Sequence, residues 1–238
     1  MENKLLDADI ELQEQVQNET ENPTIETDDE NQYSTPSRGY QIIKRGLDIV
    51  LSACALLVLA PLMLLICILI RIDSKGPAIF VHNRIGKNGR PLPLYKFRSM
   101  YMNAEAKIAV FTPEQKAEWE QNFKLDNDPR ITRIGRILRK TSLDELPQLL
   151  NIAKGDLSIV GPRPVVTDEL EKYGKNKEKF LSVTPGLTGY WQAYARSNCS
   201  YEQRMEMELY YVENANLLWD IKIVFATVGA VIKGRGAK

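Results

Sequence analysis

Ile49-Val50-Leu51-Ser52-Ala53-Cys54-Ala55-Leu56-Leu57-Val58-Leu59-Ala60-Pro61-Leu62-Met63-Leu64-Leu65-Ile66-Cys67-Ile68-Leu69-Ile70 is a run of 22 residues without a charge. At about 1.5 Å per residue it makes a helix of roughly 33 Å, enough to cross a bilayer. Pro61 lies near its middle, where it removes a helical hydrogen bond and collides with the carbonyl of Leu57, so a kink is expected there. The halves, residues 49–60 and 62–72, reach about 18 and about 16 Å, and neither alone matches a hydrocarbon core of roughly 30 Å. Cations flank both ends: Lys44 and Arg45 before the run, then Arg71, Lys75, Arg84, Lys87 and Arg90 after it. The positive-inside rule therefore gives no direction across the membrane, and both ends read as cytoplasmic. The resulting expectation is a helix-break-helix that dips into one leaflet and returns, with one kinked transmembrane helix as the alternative. A cleavable signal peptide is not expected, because the run lies behind a long acidic segment and lacks a cleavage site.

The 238 residues, 44% hydrophobic and 26% charged, suffice for one domain with appendages, which excludes a multidomain machine. Residues 1–38 hold eleven acids against Lys4 and Arg38 and are read as a disordered tail. Setting them apart from the 31 basic and 31 acidic residues of the chain leaves 29 against 20, a body of net charge +9. Such a body implies an anionic partner: phosphate, an acidic lipid head group or nucleic acid. No basic-aromatic module of a known nucleic-acid-binding type is present, and nucleic acid is set aside. Cys54, Cys67 and Cys199 are too few and too scattered for a disulfide framework and suit a reducing compartment. With His82 the only histidine, a His-rich zinc site is excluded, so any metal would be hard and oxygen-bound.

Residues 78–85 and 92–100 flank Lys87-Asn88-Gly89, and Asn-Gly between extended segments signals a β-hairpin. Strand alternation places Lys96 and Arg98 together on one face. Residues 104–123 have helical composition interrupted at Thr112-Pro113. Arg130, Arg133, Arg136 and Arg139 recur every third residue among Ile131, Ile134, Ile137 and Leu138, as in an amphipathic basic helix. Gly161-Pro162-Arg163-Pro164 and Pro185-Gly186-Leu187-Thr188-Gly189 read as rigid loops, followed by a charged helix over 201–214 and an apolar one over 217–233.

The sharpest cluster is Arg139-Lys140-Thr141-Ser142-Leu143-Asp144-Glu145-Leu146-Pro147-Gln148. Ser142 with Glu145 matches a capping box, which would give both acids a purely structural reason to be there. Pro147 weakens that explanation, since Asp144 as the cap places the proline within the first helical turn, where its missing N–H costs nothing. The acids would then stand at a helix start beside two cations, a place suited to a carboxylate that handles phosphate.

Lys44-Arg45-Gly46-Leu47-Asp48, Tyr95-Lys96-Phe97-Arg98-Ser99-Met100, Thr141-Ser142-Leu143-Asp144-Glu145-Leu146-Pro147-Gln148, Gly155-Asp156-Leu157-Ser158-Ile159-Val160-Gly161-Pro162-Arg163-Pro164, Pro185-Gly186-Leu187-Thr188-Gly189 and Asp220-Ile221-Lys222-Ile223 follow one another in this order. Together they resemble the bacterial sugar transferase family, the monotopic phosphoglycosyl transferases that begin glycan assembly on a polyprenol carrier. The resemblance covers roughly residues 40–238 and is to the small, single-domain members. It implies an α+β fold, mainly helical with a small β-hairpin, with a Pro-broken re-entrant helix and interfacial amphipathic helices. The corresponding division is an acidic tail over 1–38, a membrane segment over 39–75 and a cytoplasmic catalytic domain over 76–238, on the inner-membrane surface. Where relatives often have Ser before the bend, this chain has Ala60, which removes a hydroxyl able to satisfy a carbonyl there.

By the same resemblance, Asp144 attacks a nucleoside diphosphate sugar, uridine being the expected base, and forms a sugar-phosphoryl-aspartate that polyprenyl phosphate then discharges. Glu145 would hold Mg2+, and Lys96, Arg98, Arg139, Arg163 and Arg196 would bind phosphate. Two other functions stay open: a glycosyltransferase that moves only the sugar, and a noncatalytic membrane scaffold for glycan-assembly partners. The sugar, the oligomeric state and any docking of downstream glycosyltransferases are not specified by the sequence.

Overall fold

A computed structural model of the chain describes residues 36–112, 115, 116, 125, 128–195 and 199–232. The acidic segment over 1–35 lies outside the described residues, as do Arg196 and most of 113–127.

Helix α1 (Arg38–Asp73) opens at Ser37, whose hydroxyl accepts the Tyr40 N–H, and closes where the Ser74 N–H reaches the Ile70 carbonyl. Pro61 lies inside this helix, and the two segments expected on either side of it are one continuous element. A proline removes one hydrogen bond and bends a helix without having to end it. Asp48, Ser52, Ile66 and Ile70 are buried along one stripe of α1, joined by Ala55, Leu56, Leu59, Met63 and Cys67 packing into the interior. The opposite face exposes Leu51, Leu57, Val58, Leu64, Leu65, Ile68 and Ile72. A helix apolar on all sides but packed on only one leaves a large apolar surface open. By length and composition α1 could cross a membrane.

The expected hairpin forms from β1 (Ile79–Ile85) and β2 (Pro91–Phe97), antiparallel with Phe80 opposite Lys96 and Arg84 opposite Leu92. Its turn holds Asn88 and Gly89 at φ 56° and 75°, the left-handed geometry that Asn-Gly favours. Of the helical expectation over 104–123, the described residues show a short 3-10 turn, Ala106–Val110, and helical residues 115 and 116, opened by the Thr112 hydroxyl accepting the Gln115 N–H.

Helix α2 (Arg133–Thr141) is capped by the Thr132 hydroxyl on the Gly135 N–H, while Asp73 at the end of α1 accepts the Ile134 N–H. Ile134 and Leu138 face inward, and Arg133, Arg136, Ile137 and Lys140 are exposed. Arg130 precedes the helix and forms a buried fork with Asp128. A 3-10 turn, Leu143–Glu145, leads into α3 (Gln148–Lys154) and then β3 (Ser158–Val160). Helices α4 (Thr167–Glu171) and α5 (Lys177–Leu181) follow, then β4 (Gly186–Thr188) and α6 (Tyr190–Tyr194). The chain ends in α7 (Tyr201–Asn214), opened by a reciprocal Ser200/Gln203 capping box, and α8 (Leu217–Ile232).

Strand β4, part of an expected loop, pairs in parallel with β3. Only glycine fits where these segments cross: a Cβ on Gly186 would stand 2.1 Å from the Gly161 nitrogen. Two hydrophobic clusters matter for the site. Leu92, Leu94, Leu149, Ile152 and Leu157 join β2, α3 and α1, while Ile66, Ile70, Phe97 and Leu138 join α1, β2 and α2.

Candidate functional site

Asp144 and Glu145 sit in the 3-10 turn between α2 and α3. Ser142 adopts the left-handed conformation, φ 57°, and its N–H closes α2 on the carbonyls of Leu138 and Arg139. It makes no side-chain cap, and Pro147 precedes α3 instead of lying inside it. Both expected caps, the Ser142 capping box and Asp144, are therefore corrected: a helix ends and another begins within six residues, and i to i+3 bonds bridge them. The positive potential at Asp144 comes first from the side chains of Lys96 and Arg139, with a backbone hydrogen bond adding to it.

Those side chains converge from separate elements. Lys96 on β2 places Nζ 2.8 Å from Glu145 Oε1, with both side chains partly exposed. Arg139 in the last turn of α2 donates its Nε–H to Ser99 Oγ at 3.0 Å and acts electrostatically on Asp144. Arg163, after β3, is fixed through its backbone N–H, which donates to both carboxylate oxygens of the buried Glu208 at 3.1 and 3.2 Å. Gln148, buried at the start of α3, hydrogen-bonds Glu145. Glu145, Lys96, Arg163 and Gln148 line one cleft with Arg84 and Leu94.

The two carboxyls are pushed apart. Burial, then the charge of Glu145, raises Asp144 to about 6 against the pull of Lys96 and Arg139. Burial also works against ionised Glu145, but the charge and hydrogen bond of Lys96, the charge of Arg163 and the Gln148 bond outweigh it and hold Glu145 below the usual range. Glu145 is thus firmly an anion paired with Lys96, whereas Asp144 is a carboxylate at neutral pH with weaker pairing, as a nucleophile needs to be. Glu208 is raised by burial to about 7, opposed by the Arg163 N–H and by Arg204 and Arg163.

Of the residues singled out in the sequence, Asp144, Glu145, Lys96, Arg139 and Arg163 are brought together. Arg98 is not. Its guanidinium, 4% exposed, donates to the carbonyls of Ser74 at 2.7 Å and Lys75 at 2.8 Å, with Ser74 Oγ at 2.9 Å, at the end of α1. The expected pairing of Lys96 and Arg98 on one face fails because β2 ends at Phe97. Pro61 lies in α1, and Arg196 is outside the described residues. Sequence reasoning missed Arg84, Gln148 and Glu208. Arg84 was recoverable, since the Asn-Gly turn sets a register in which Arg84, His82 and Lys96 share a face.

Residues 39–234 match the family model described as bacterial sugar transferase. The chain belongs to that family. An undecaprenyl-phosphate galactose phosphotransferase of Salmonella typhimurium is 46% identical over 209 residues, 87% of this chain and 44% of the relative. Exopolysaccharide production protein ExoY of Sinorhizobium fredii is 46% identical over 199 residues, 82% of this chain and 88% of the relative. A UDP-glucose:undecaprenyl-phosphate glucose-1-phosphate transferase of Escherichia coli K12 is 37% identical over 205 residues, 82% of this chain and 42% of the relative. The chain therefore spans less than half the length of the first and third relatives and most of the second.

Proposed function

We propose that this chain transfers a sugar 1-phosphate from a nucleoside diphosphate sugar, with uridine as the base, to polyprenyl phosphate, as the first membrane step of bacterial glycan assembly. The observation that carries this reading is the Asp144–Glu145 pair, its two carboxyls shifted in opposite directions, beside Lys96, Arg139 and Arg163 in a family of sugar transferases. Relatives named for undecaprenyl phosphate and for exopolysaccharide production support the acceptor and the pathway class.

In this mechanism a carboxylate oxygen of Asp144 attacks the sugar-proximal phosphorus. The bond to the nucleoside phosphate breaks, and nucleoside monophosphate leaves with the electron pair. A phosphate oxygen of polyprenyl phosphate then attacks the same phosphorus, the aspartyl oxygen leaves, and Asp144 is restored. Lys96, Arg139 and Arg163 stabilise charge on the phosphoryl oxygens, and two successive displacements predict ping-pong kinetics. Glu145, held as an anion next to Asp144, suits Mg2+ that completes its shell with substrate oxygens and water. Glu145 would hold that ion beside Asp144, where it would neutralise diphosphate charge.

We infer that α1 enters and leaves the membrane on the cytoplasmic face of the inner membrane. Support comes from its two ends, which are fastened to one body. Lys44 pairs with Asp220 at 2.7 Å, Arg45 donates to the Ile152 carbonyl at 2.6 Å, and Asp48 accepts the Ile159 N–H at 3.0 Å. At the other end Asp73 and Ser74 meet α2 and Arg98. A perpendicular span would place one of these ends on the far side of a hydrocarbon core of roughly 30 Å, away from the body that both ends contact. The exposed stripe Leu218, Ile221, Phe225 and Val228 on α8, and Ile137 among cations on α2, suit the lipid interface.

The test uses the detergent-purified full chain with Mg2+, a panel of uridine diphosphate sugars and undecaprenyl phosphate, beside Asp144→Asn. Release of uridine monophosphate with formation of a lipid diphosphate sugar, both absent in the variant, is expected. Release of uridine diphosphate would mean simple glycosyl transfer and overturn the mechanism. Silence with every donor would favour the scaffold.

A further inference from the structure

The cations of the cleft form a series that leads away from Asp144. Arg139 and Lys96 act on Asp144, Lys96 and Arg163 act on Glu145, and Arg84 stands next to Arg163, the two guanidiniums opposing one another. Arg84 projects from β1 on the hairpin face that carries Lys96. Its Nη1 is anchored 2.9 Å from Glu169 Oε2, and its side chain, 15% exposed, lines the cleft. Among the lining residues three cations, Arg84, Lys96 and Arg163, stand with one carboxylate, Glu145, and Glu169 pairs with Arg84 from outside the lining. The diphosphate bridge of a nucleoside diphosphate sugar carries two negative charges. The neighbouring His82 registers the same excess: burial together with Arg84, Lys96 and Arg163 holds its imidazolium down at about 4.

Resting on the phosphoglycosyl transfer reading, we propose that Arg84 binds the phosphate of the departing nucleoside monophosphate, while Arg139 and Lys96 serve the phosphorus attacked by Asp144. A planar fork held at one nitrogen by Glu169 is oriented to present another edge to a phosphate, which a lysine at this position could not do in the same way. The bond that breaks is the one between the attacked phosphorus and the bridging oxygen, and that oxygen leaves with the phosphate held by Arg84. In-line attack brings the acceptor phosphate to the face of the phosphorus that the nucleoside monophosphate has left, opposite Asp144, so Arg84 holds the leaving phosphate in the first displacement and meets the acceptor phosphate in the second.

The two displacements can be timed separately on the full chain in lipid nanodiscs with Mg2+. Uridine diphosphate sugar labelled in the sugar loads the enzyme covalently, and undecaprenyl phosphate then discharges it. With Arg84→Met, loading slows about 10- to 100-fold, as expected for loss of a charge-assisted bond to phosphate, and uridine monophosphate inhibits about tenfold more weakly while uridine binding stays within about threefold. Arg84→Lys keeps an ion pair with Glu169 and guards against misfolding of the first variant; it slows loading by about tenfold. Equal weakening of uridine and uridine monophosphate would make Arg84 merely structural, and unchanged loading in both variants would remove it from the site; either result overturns the assignment. A wild type that turns over without ever carrying label overturns the covalent mechanism and this assignment with it, whereas labelled wild type with unaffected variants overturns the assignment alone.

Discussion

Asn151 fastens the helix that follows the acidic pair to the strand that carries Lys96. It lies on α3 with no exposure, its Oδ1 accepting the Tyr95 N–H at 3.0 Å and its Nδ2 donating to the Pro93 carbonyl at 2.8 Å. Asn151→Leu keeps the size but leaves one main-chain donor and one acceptor of β2 without partners. Each such buried group costs about 1–3 kcal/mol, so the pair should cost about 2–6 kcal/mol. At about 2–4 °C per kcal/mol for a chain of this size, the melting temperature should fall by at least about 4 °C and by roughly 12 °C at a central cost. The control connects the same two elements at the surface: Lys154 Nζ donates to the Tyr95 hydroxyl at 2.9 Å in an exposed position. Lys154→Ala should leave the melting temperature within about 1 °C, because exposed polar pairs contribute little. Both would be measured by thermal unfolding in one detergent at one scan rate. A fall below about 2 °C for Asn151→Leu, or equal falls for both variants, would refute the argument that burial of these two bonds sets their worth.

Lys96→Met should lower turnover at least about 100-fold with a small change in melting temperature, whereas Arg98→Met should lower the melting temperature by several degrees and leave the folded fraction active; activity and unfolding measured on both variants check this. Glu208, ordinarily near 4.5, is raised to about 7 in the folded chain, so the native state holds an extra proton between those values and this group's contribution to stability is lost as pH rises through that window. Melting temperatures from pH 5 to 8 should therefore decline more steeply for wild type than for Glu208→Gln, and parallel curves would count against the shift. Single cysteines at positions 42 and 72, in a background lacking Cys54, Cys67 and Cys199, should react with a membrane-impermeant thiol reagent from the same side of inverted vesicles; reaction from opposite sides would establish a span.

Local signals made part of this fold legible. The uncharged run gave α1, the Asn88-Gly89 pair gave the hairpin, and the series of apolar and charged residues gave α7 and α8 nearly to the residue. The parallel pairing of β3 with β4 was not legible, because each strand is three residues long and its partner lies far along the chain. Ser142 misled for a different reason. Ser-x-x-Glu is a start signal, but the end of α2 and the left-handed turn at Ser142 had first use of the backbone. Arg98 could not be placed by strand alternation, since its acceptors come from Ile70, Ser74 and Lys75, at the end of another element. At the site, the acids and three of their cations could be found in sequence, while Glu208 acts through the backbone of Arg163 and leaves no spacing to detect.

Helix α1 contributes to the interior of the protein as well as to its exposed apolar surface. Its inward stripe completes two of the hydrophobic clusters, buried Asp48 accepts the Ile159 N–H of β3, and Arg45 donates to the Ile152 carbonyl of α3. Trimming this helix to obtain a water-soluble enzyme would therefore strip the floor from the site, opening the contacts that seat β2 and α2. During synthesis the same helix emerges before every partner of its inward stripe. Detergents and lipid mimetics chosen for handling this protein thus act on its core packing as directly as on its solubility.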